Sequence, residues 1–318
     1  MHRVQSLLRG ILHWTPLFFR GLSDSLVPAR RRLRMRRTIP VLCSFALCMY
    51  SYNLQACTAF AATGESLVQG GGTLVAKVRD ERPARQVVKT VRPDSGWAYT
   101  GLFVGKKERF NMGVNEKGLV VFRTTAGSVP KDVRRQAKRW KSPGGLSGHE
   151  YIIRHCATVD EALTSNVFSE PTNYLIADAT KIAFVEVLPD GAHAAKVYEQ
   201  GRFAHTNHYV LPQHQHANTR IGTSSLTRYM RINALMNEQV QPYQLEDFIG
   251  WTKDRHDGPD NSIERIGIPG KSKITTLSAM VVYLPKEGAP QIYLRWRHDP
   301  ATQDMQQARE KRGNISIF

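Results

Sequence analysis

Cys57-Thr58-Ala59-Phe60-Ala61-Ala62 and, beyond a Gly70-Gly71-Gly72 turn, Thr73-Leu74-Val75-Ala76-Lys77-Val78-Arg79-Asp80 together decide how this chain is read. Two short apolar runs flanking a triple glycine predict paired strands over Cys57–Ala62 and Gly72–Val78. The first strand opens on a cysteine at the end of a leader-like segment. A cysteine exposed as a new N-terminus holds a thiol (pKa about 8.5) and an α-amine (about 7.7–8.0) in one residue. The amine accepts the thiol proton, directly or through water, and later passes it to a leaving amine. Such a device needs no separate histidine, and it exists only once the leader is gone.

Upstream, residues 1–56 read as that leader. Arg30, Arg31, Arg32, Arg34, Arg36 and Arg37 form a basic block, and Val41 to Met49 is an apolar stretch. A basic n-region, a short apolar h-region and a small residue before the cut match a secretory signal, with Met35 as an alternative start. The expected location is periplasmic or secreted. Two other readings stay open. Thr38 to Ala56 is uncharged, close to the ~20 residues needed to span a bilayer, although Ser51, Tyr52, Asn53 and Gln55 make its second half polar. Leu54-Gln55-Ala56-Cys57 partly fits a lipobox, which would make Cys57 a lipid anchor. Cys43 and Cys48 leave with the leader, so Cys57 and Cys156 remain and no disulfide framework is implied.

Downstream, Phe110 to Thr124 reads as a hairpin turning at Asn115-Glu116-Lys117-Gly118. Tyr174–Ala177, Ile182–Leu188, Ala194–Glu199 and Phe203–Val210 predict four antiparallel strands in succession. Helical spacing covers Gly148 to Leu163, with a restart at Thr158 and Glu161, and Ser225 to Asn237, with Leu226, Tyr229, Ile232 and Leu235 or Met236 on one face. Gln244 to Lys253 is a third helix. Thr275–Leu284 and Gln291–Trp296 return to strand. Strand blocks with segregated helices predict an α+β layered domain over 57–300, followed by a charged, loose tail over 301–318.

The chain carries 44 Lys+Arg against 27 Asp+Glu, a net +17. The leader supplies +8 of this (nine Arg less one Asp), which leaves +9 for the body. That charge weakly favours an anionic group on a ligand. Without zinc-finger spacing, a phosphate loop or a basic run interleaved with aromatics, no nucleic-acid partner is expected. His205, His208, His214 and His216 cluster within twelve positions, but strand alternation separates the first two, so a surface cluster is favoured over a metal centre. Asp254, Asp257 and Asp260 lack EF-hand spacing. No metal or cofactor is expected.

Several of these segments carry a family resemblance. The Cys57 opening and Gly71–Asp80 are followed by Gly113-Val114-Asn115-Glu116-Lys117-Gly118-Leu119, His205-Thr206-Asn207-His208-Tyr209, Ser224-Ser225-Leu226-Thr227-Arg228-Tyr229 and Asp257-Gly258-Pro259 with Ser262–Arg265. This ordered set resembles the N-terminal nucleophile (Ntn) hydrolases, namely the choloylglycine hydrolase and penicillin V acylase family and the related acyl-CoA:6-aminopenicillanate acyltransferase family. The resemblance implies a four-layer αββα sandwich and cleavage of a linear, non-peptide amide through an acyl-enzyme. It makes Cys57 the nucleophile, Asp80 the holder of the α-amine, Asn207 the oxyanion-hole asparagine and Arg228 an active-site arginine, with Arg265 a second candidate. Where the family has Arg-Asn, this chain has Lys77-Val78. Lys77 keeps a charge but loses the planar fork of arginine, and Val78 removes an amide.

Taken from the residues alone, Asp80 sits beside Arg79, Glu81 and Arg82, where a solvated loop is the default. Asn207 sits in a strand-like run where asparagine is depleted. The expected partner is a small acyl amide, with membrane contact only through the leader or a lipid anchor. Hydrolase, acyltransferase, anchored binding protein and homo-oligomer all stay open.

Overall fold

The structure, a computed structural model, describes residues 56–137, 140, 142, 144–268, 274–298, 305 and 307–314. The leader up to residue 55, with Cys43 and Cys48, lies outside the described residues. In chain order the elements are β1 (Ala56–Thr63), β2 (Thr73–Glu81), β3 (Gln86–Val91), β4 (Tyr99–Val104), β5 (Arg109–Asn115), β6 (Val120–Thr125), α1 (Lys131–Gln136), α2 (Gly148–His155) and α3 (Val159–Thr164). Then come β7 (Thr172–Ala177), β8 (Ile182–Val187), β9 (His193–Tyr198), β10 (Gly201–His205), α4 (Thr223–Glu238), α5 (Leu245–Trp251), β11 (Thr275–Leu284), β12 (Gln291–Trp296) and β13 (Arg309–Gly313). One antiparallel sheet runs β10-β1-β2-β11-β12-β13 and the other β3-β4-β5-β6-β7-β8-β9.

Strand alternation builds the layers, because successive side chains leave opposite faces of a strand. In β1, Ala59 and Ala61 face a core shared by both sheets, while Phe60 and Ala62 face α4 and α5. In β5 and β6, Met112, Val114, Val120 and Phe122 join the shared core, whereas Phe110 and Val121 pack on α2 and α3. Three apolar layers therefore separate four structural ones, in the order helices, sheet, sheet, helices. This is the αββα sandwich that the resemblance implied.

The β1–β2 pairing forms as the sequence predicts, with Cys57 opposite Arg79 and Ala59 opposite Lys77. Its connection depends on Gly72, whose φ is +79° and where a Cβ would sit 2.3 Å from the Leu284 carbonyl oxygen. The Asn115–Gly118 hairpin also forms. Asn115 is fully buried. Its Nδ2 donates to the carbonyls of Ile153 and Cys156, and its Oδ1 accepts from Lys117 and Leu119 N–H. One side chain thus closes the hairpin and caps the end of α2.

Three expectations need correction. Of the four strands expected in succession, β7, β8 and β9 are neighbours, but β10 crosses to the other sheet and pairs with β1. That strand also stops at His205, so Thr206 to Val210 forms a turn. The restart expected within Gly148–Leu163 is present: α2 ends at His155, and α3 opens with Thr158 Oγ1 accepting the Glu161 N–H. The tail is not loose throughout, because Arg309–Gly313 adds to β12 as an edge strand. Strands β3 and β4 did not register in the sequence reading.

Replacing Asn115 with Ala strands buried carbonyls and N–H groups together, so a loss of about 3 kcal/mol is expected. Urea denaturation checks this, and a loss under about 1 kcal/mol would contradict the role given to Asn115.

Candidate active site

The two faces of β1 and β2 carry different chemistry. Cys57, Ala59, Lys77 and Arg79 share the face that looks between the sheets, since directly paired residues lie on one side. A cavity of about 580 Å³ opens there, and its wall includes Cys57, Lys77, Arg79, Asn111, Arg123 and His149. Thr58 and Asp80 lie on the opposite face, towards α4.

Arg228 of α4 is fully buried and reaches this second face. Its Nη1 donates to the Cys57 carbonyl (2.6 Å) and to Thr58 Oγ1 (2.7 Å), and its Nη2 donates to Asn207 Oδ1 (3.0 Å). Burial pushes its pKa down to about 10, while Asp80 pulls it back up. It stays a cation at neutral pH. Asn207 Oδ1 also accepts from the Cys57 N–H at 2.8 Å, and Asn207 Nδ2 donates to the Thr125 carbonyl at 2.9 Å. A carboxamide NH₂ carries two hydrogens, so one remains for a further acceptor.

Asp80 is buried within β2, not solvated in a charged loop. Its Oδ1 accepts from Thr276 Oγ1 at 2.7 Å, and its buried Oδ2 has no hydrogen-bond partner among the described residues. Burial raises its pKa, against the pull of the Arg228 and Arg265 charges and the Thr276 hydrogen bond. Asp80 pairs with Ala56, the residue immediately before Cys57. The free oxygen therefore belongs to the residue facing the bond that would have to be cut.

Burial also raises the Cys57 thiol, with Lys77 opposing it and Asp80 adding to it. Lys77 is fully buried and donates to Asn111 Oδ1 at 2.8 Å. Arg265 sits one step back: its backbone N–H donates to Thr276 Oγ1 at 2.8 Å, and its Nη2 lies 3.6 Å from Asp260.

The structure thus brings Cys57, Asp80, Asn207 and Arg228 together, sets Lys77 on the same sheet face and cavity wall as Cys57, and puts Arg265 behind Asp80. Sequence reasoning missed Thr58, Thr125, Thr276, Asn111 and Arg123. No local signal marked them, because each acts through a register or packing contact far along the chain. The expected surface histidine cluster also needs correction. His205, His208 and His214 are buried, with His205 Nε2 2.8 Å from Glu186, His208 Nδ1 2.9 Å from Ser225 Oγ, and His214 Nδ1 3.5 Å from Glu186. They brace the turn that presents Asn207. Among the described residues, no group of three His, Cys, Asp or Glu side chains is placed to hold a metal ion.

The sequence profile of the family described as acyl-coenzyme A:6-aminopenicillanic acid acyl-transferase matches residues 84–298. The chain belongs to this family. The expectation of an enzyme for acyl carbon–nitrogen chemistry holds at the level of this acyl-transferase family. The match begins after β2, so the places of Cys57, Lys77 and Asp80 rest on the geometry above. The fold is similar to that of penicillin V acylase from Agrobacterium tumefaciens, at 17% identity and TM-score 0.51, covering 82% of this chain and 86% of the other. Two more solved structures are less similar. The N-acylethanolamine-hydrolyzing acid amidase ortholog of Caenorhabditis elegans gives 13% identity and TM-score 0.44 over 72% and 94% of the chains. The conjugated bile acid hydrolase of Clostridium perfringens gives 14% and 0.43 over 81% and 97%. No curated protein sequence matches the chain. The architecture is the Ntn-hydrolase sandwich.

Arg228→Met removes the largest cationic influence on buried Asp80 and takes a donor from four acceptors, so a loss of about 3–5 kcal/mol is expected. Denaturation midpoints measure it, and a variant within about 1 kcal/mol of the parent would contradict the bracing role.

Proposed function

We propose that this chain is an exported cysteine Ntn amidohydrolase, made active when the leader is cut between Ala56 and Cys57. The supporting observation is the unpartnered Oδ2 of Asp80, the residue paired with Ala56 across the strands. Cutting the bond turns one backbone N–H into an ammonium with three donors. Asn207 Oδ1 already takes one of them, and Asp80 Oδ2 is a buried acceptor for a second. The new N-terminus would therefore be held in a fixed orientation, which a catalytic group needs.

The cycle follows from these positions. An acyl amide enters the cavity and Cys57 Sγ attacks its carbonyl carbon, the thiol proton passing to a base of the site. The oxyanion takes the second hydrogen of Asn207 Nδ2, a donation worth about 3 kcal/mol to the transition state. Collapse breaks the C–N bond, the amine leaves with a proton, and a thioester on Cys57 remains. Water then releases the acid and restores the thiol. The acyl-transferase profile favours a second outcome, in which another amine takes the acyl group from the same thioester.

The lipid-anchor alternative loses support from the placement of Cys57. Cys57 is buried in β1 with its backbone held by Arg228 and Asn207, and it lines the cavity between the sheets, a placement that ill suits a diacylglyceryl chain. Export to the periplasm or the medium is proposed from the leader alone.

Product analysis of the mature protein with an N-acyl amine and a second amine tests this reading. Free acid, with or without the new amide, is expected, and Cys57→Ala should lower turnover by about 10³-fold or more. Equal turnover in Cys57→Ala would overturn the assignment. Product containing only the new amide would move the protein to the transferases.

A further inference from the structure

Glu186 of β8 is a fully buried carboxylate that the cycle above does not use. Its strand belongs to the sheet opposite β1 and β10, yet its side chain reaches only the segment that carries Asn207. Oε1 lies 2.8 Å from His205 Nε2, just before the turn, and accepts the N–H groups of Val210 (2.6 Å) and Leu211 (3.2 Å) just after it. Oε2 lies 3.4 Å from the Leu211 nitrogen and 3.5 Å from His214 Nδ1. No lysine or arginine among the described residues pairs with Glu186. A buried carboxylate is costly unless donors meet it, and here those donors come from both ends of one turn. Asn207 lies between them.

The hold passes from the carboxylate to Asn207 through named contacts. The second ring nitrogen of His205, Nδ1, is 3.0 Å from the Thr206 carbonyl. That carbonyl also accepts from Thr124 Oγ1 at 2.9 Å, while Thr206 Oγ1 donates to the Ser225 carbonyl at 2.9 Å. The Asn207 N–H donates to Ser225 Oγ at 3.0 Å, and its carbonyl accepts from the Ser128 N–H at 3.0 Å. With its backbone fixed in this way, the Asn207 side chain meets the Cys57 N–H, Arg228 and the Thr125 carbonyl at once. A shift of about 1 Å in such a group can cost about 10²-fold in rate.

Resting on the proposed amidohydrolase reading, we infer that Glu186 is a positioning residue for the oxyanion donor. By gathering both ends of the turn from His205 to Leu211, it sets where the Asn207 carboxamide stands. Glu186 lies outside the cavity wall, so it touches no substrate and moves no proton in the cycle. Ser225 supports Asn207 from α4 and Glu186 supports it from β8. The donor is therefore placed between the helix layer and the second sheet, although the nucleophile it serves stands in the first.

Two reactions of Cys57 separate positioning from general structure. Acylation by p-nitrophenyl acetate passes through an oxyanion, whereas alkylation by iodoacetamide displaces iodide at a saturated carbon and forms none. Both are read by peptide mass in the mature protein, with Cys156 as internal control. Glu186→Gln keeps the length and loses the charge. It should slow acylation about tenfold and leave alkylation within about twofold of wild type. With a turned-over acyl amide, the loss should fall on kcat with little change in KM. Asn207→Asp keeps Oδ1 for Cys57 and Arg228 but loses the hydrogen offered to the oxyanion. Adding Glu186→Gln to it should lower acylation by less than about twofold more. If Glu186→Gln does not fold, Glu186→Asp, which keeps the charge and shortens the reach by one methylene, carries the same expectations. Acylation within about twofold of wild type would overturn the inference. So would equal losses in acylation and alkylation, or an undiminished loss in the Asn207→Asp background. A wild-type protein that alkylates at Cys57 yet is acylated by neither ester nor amide would defeat the amidohydrolase reading itself, and the positioning role with it.

Discussion

The site depends on one buried cation. Arg228 has no solvent to hydrate it, so its donors must be met by the protein, and they are met by groups far apart in sequence: the Cys57 carbonyl, Thr58, Asn207 and Ser224. Unpaired, such a charge would cost several kcal/mol. Its electrostatic counterpart is Asp80, fixed through Thr276, which is itself fixed through the backbone of Arg265. The two central strands, the turn after β10, and α4 are therefore locked to one another by charge as well as by packing.

The same constraint explains why α4 looks misaligned in sequence. Its apolar spacing selects Leu226, Tyr229 and Ile232, yet the structure buries Ser225, Arg228, Ile232 and Met236 and leaves Leu226 44% exposed. Hydrophobic periodicity assumes an apolar inner face, and here the first turns of that face carry polar groups that hold Asn207 and Cys57. Other elements were legible because their signals are local. The glycine turn, the Asn115 hairpin and the Thr158 cap each lie within a few residues. The crossing of β10 to the other sheet, the edge strands β3 and β13, and the partners Thr125, Thr276 and Asn111 depend on tertiary pairing, which neither spacing nor composition encodes. Cys57 was legible from its place at the end of the leader-like segment, whereas Asp80, Asn207 and Arg228 were found through family motifs; from the residues alone, Asp80 read as a solvated loop and Asn207 as an awkward strand residue.

A division of electrostatic labour across a single strand follows. On the helix side of β2, Asp80 is set against Arg228 and Arg265, and Arg265 lies 3.6 Å from Asp260, all around Cys57. On the sandwich side, Lys77, Arg79 and Arg123 face the cavity, and Lys77 is met by amide oxygens alone. The first environment fixes geometry through compensated charge. The second keeps a buried amine close to losing its proton. Adjacent residues of one strand can hold such different environments because alternation sends them to opposite layers.

The central claim is that Cys57 becomes the N-terminal nucleophile. Its most direct test is the intact mass and N-terminal sequence of the exported protein, taken before and after a brief, acid-quenched reaction with an N-acyl amine. The account predicts a chain beginning at a free Cys57 that gains the mass of one acyl group, removable by hydroxylamine as a thioester. A chain that starts elsewhere, a Cys57 carrying lipid, or an acyl group on any other residue would contradict it.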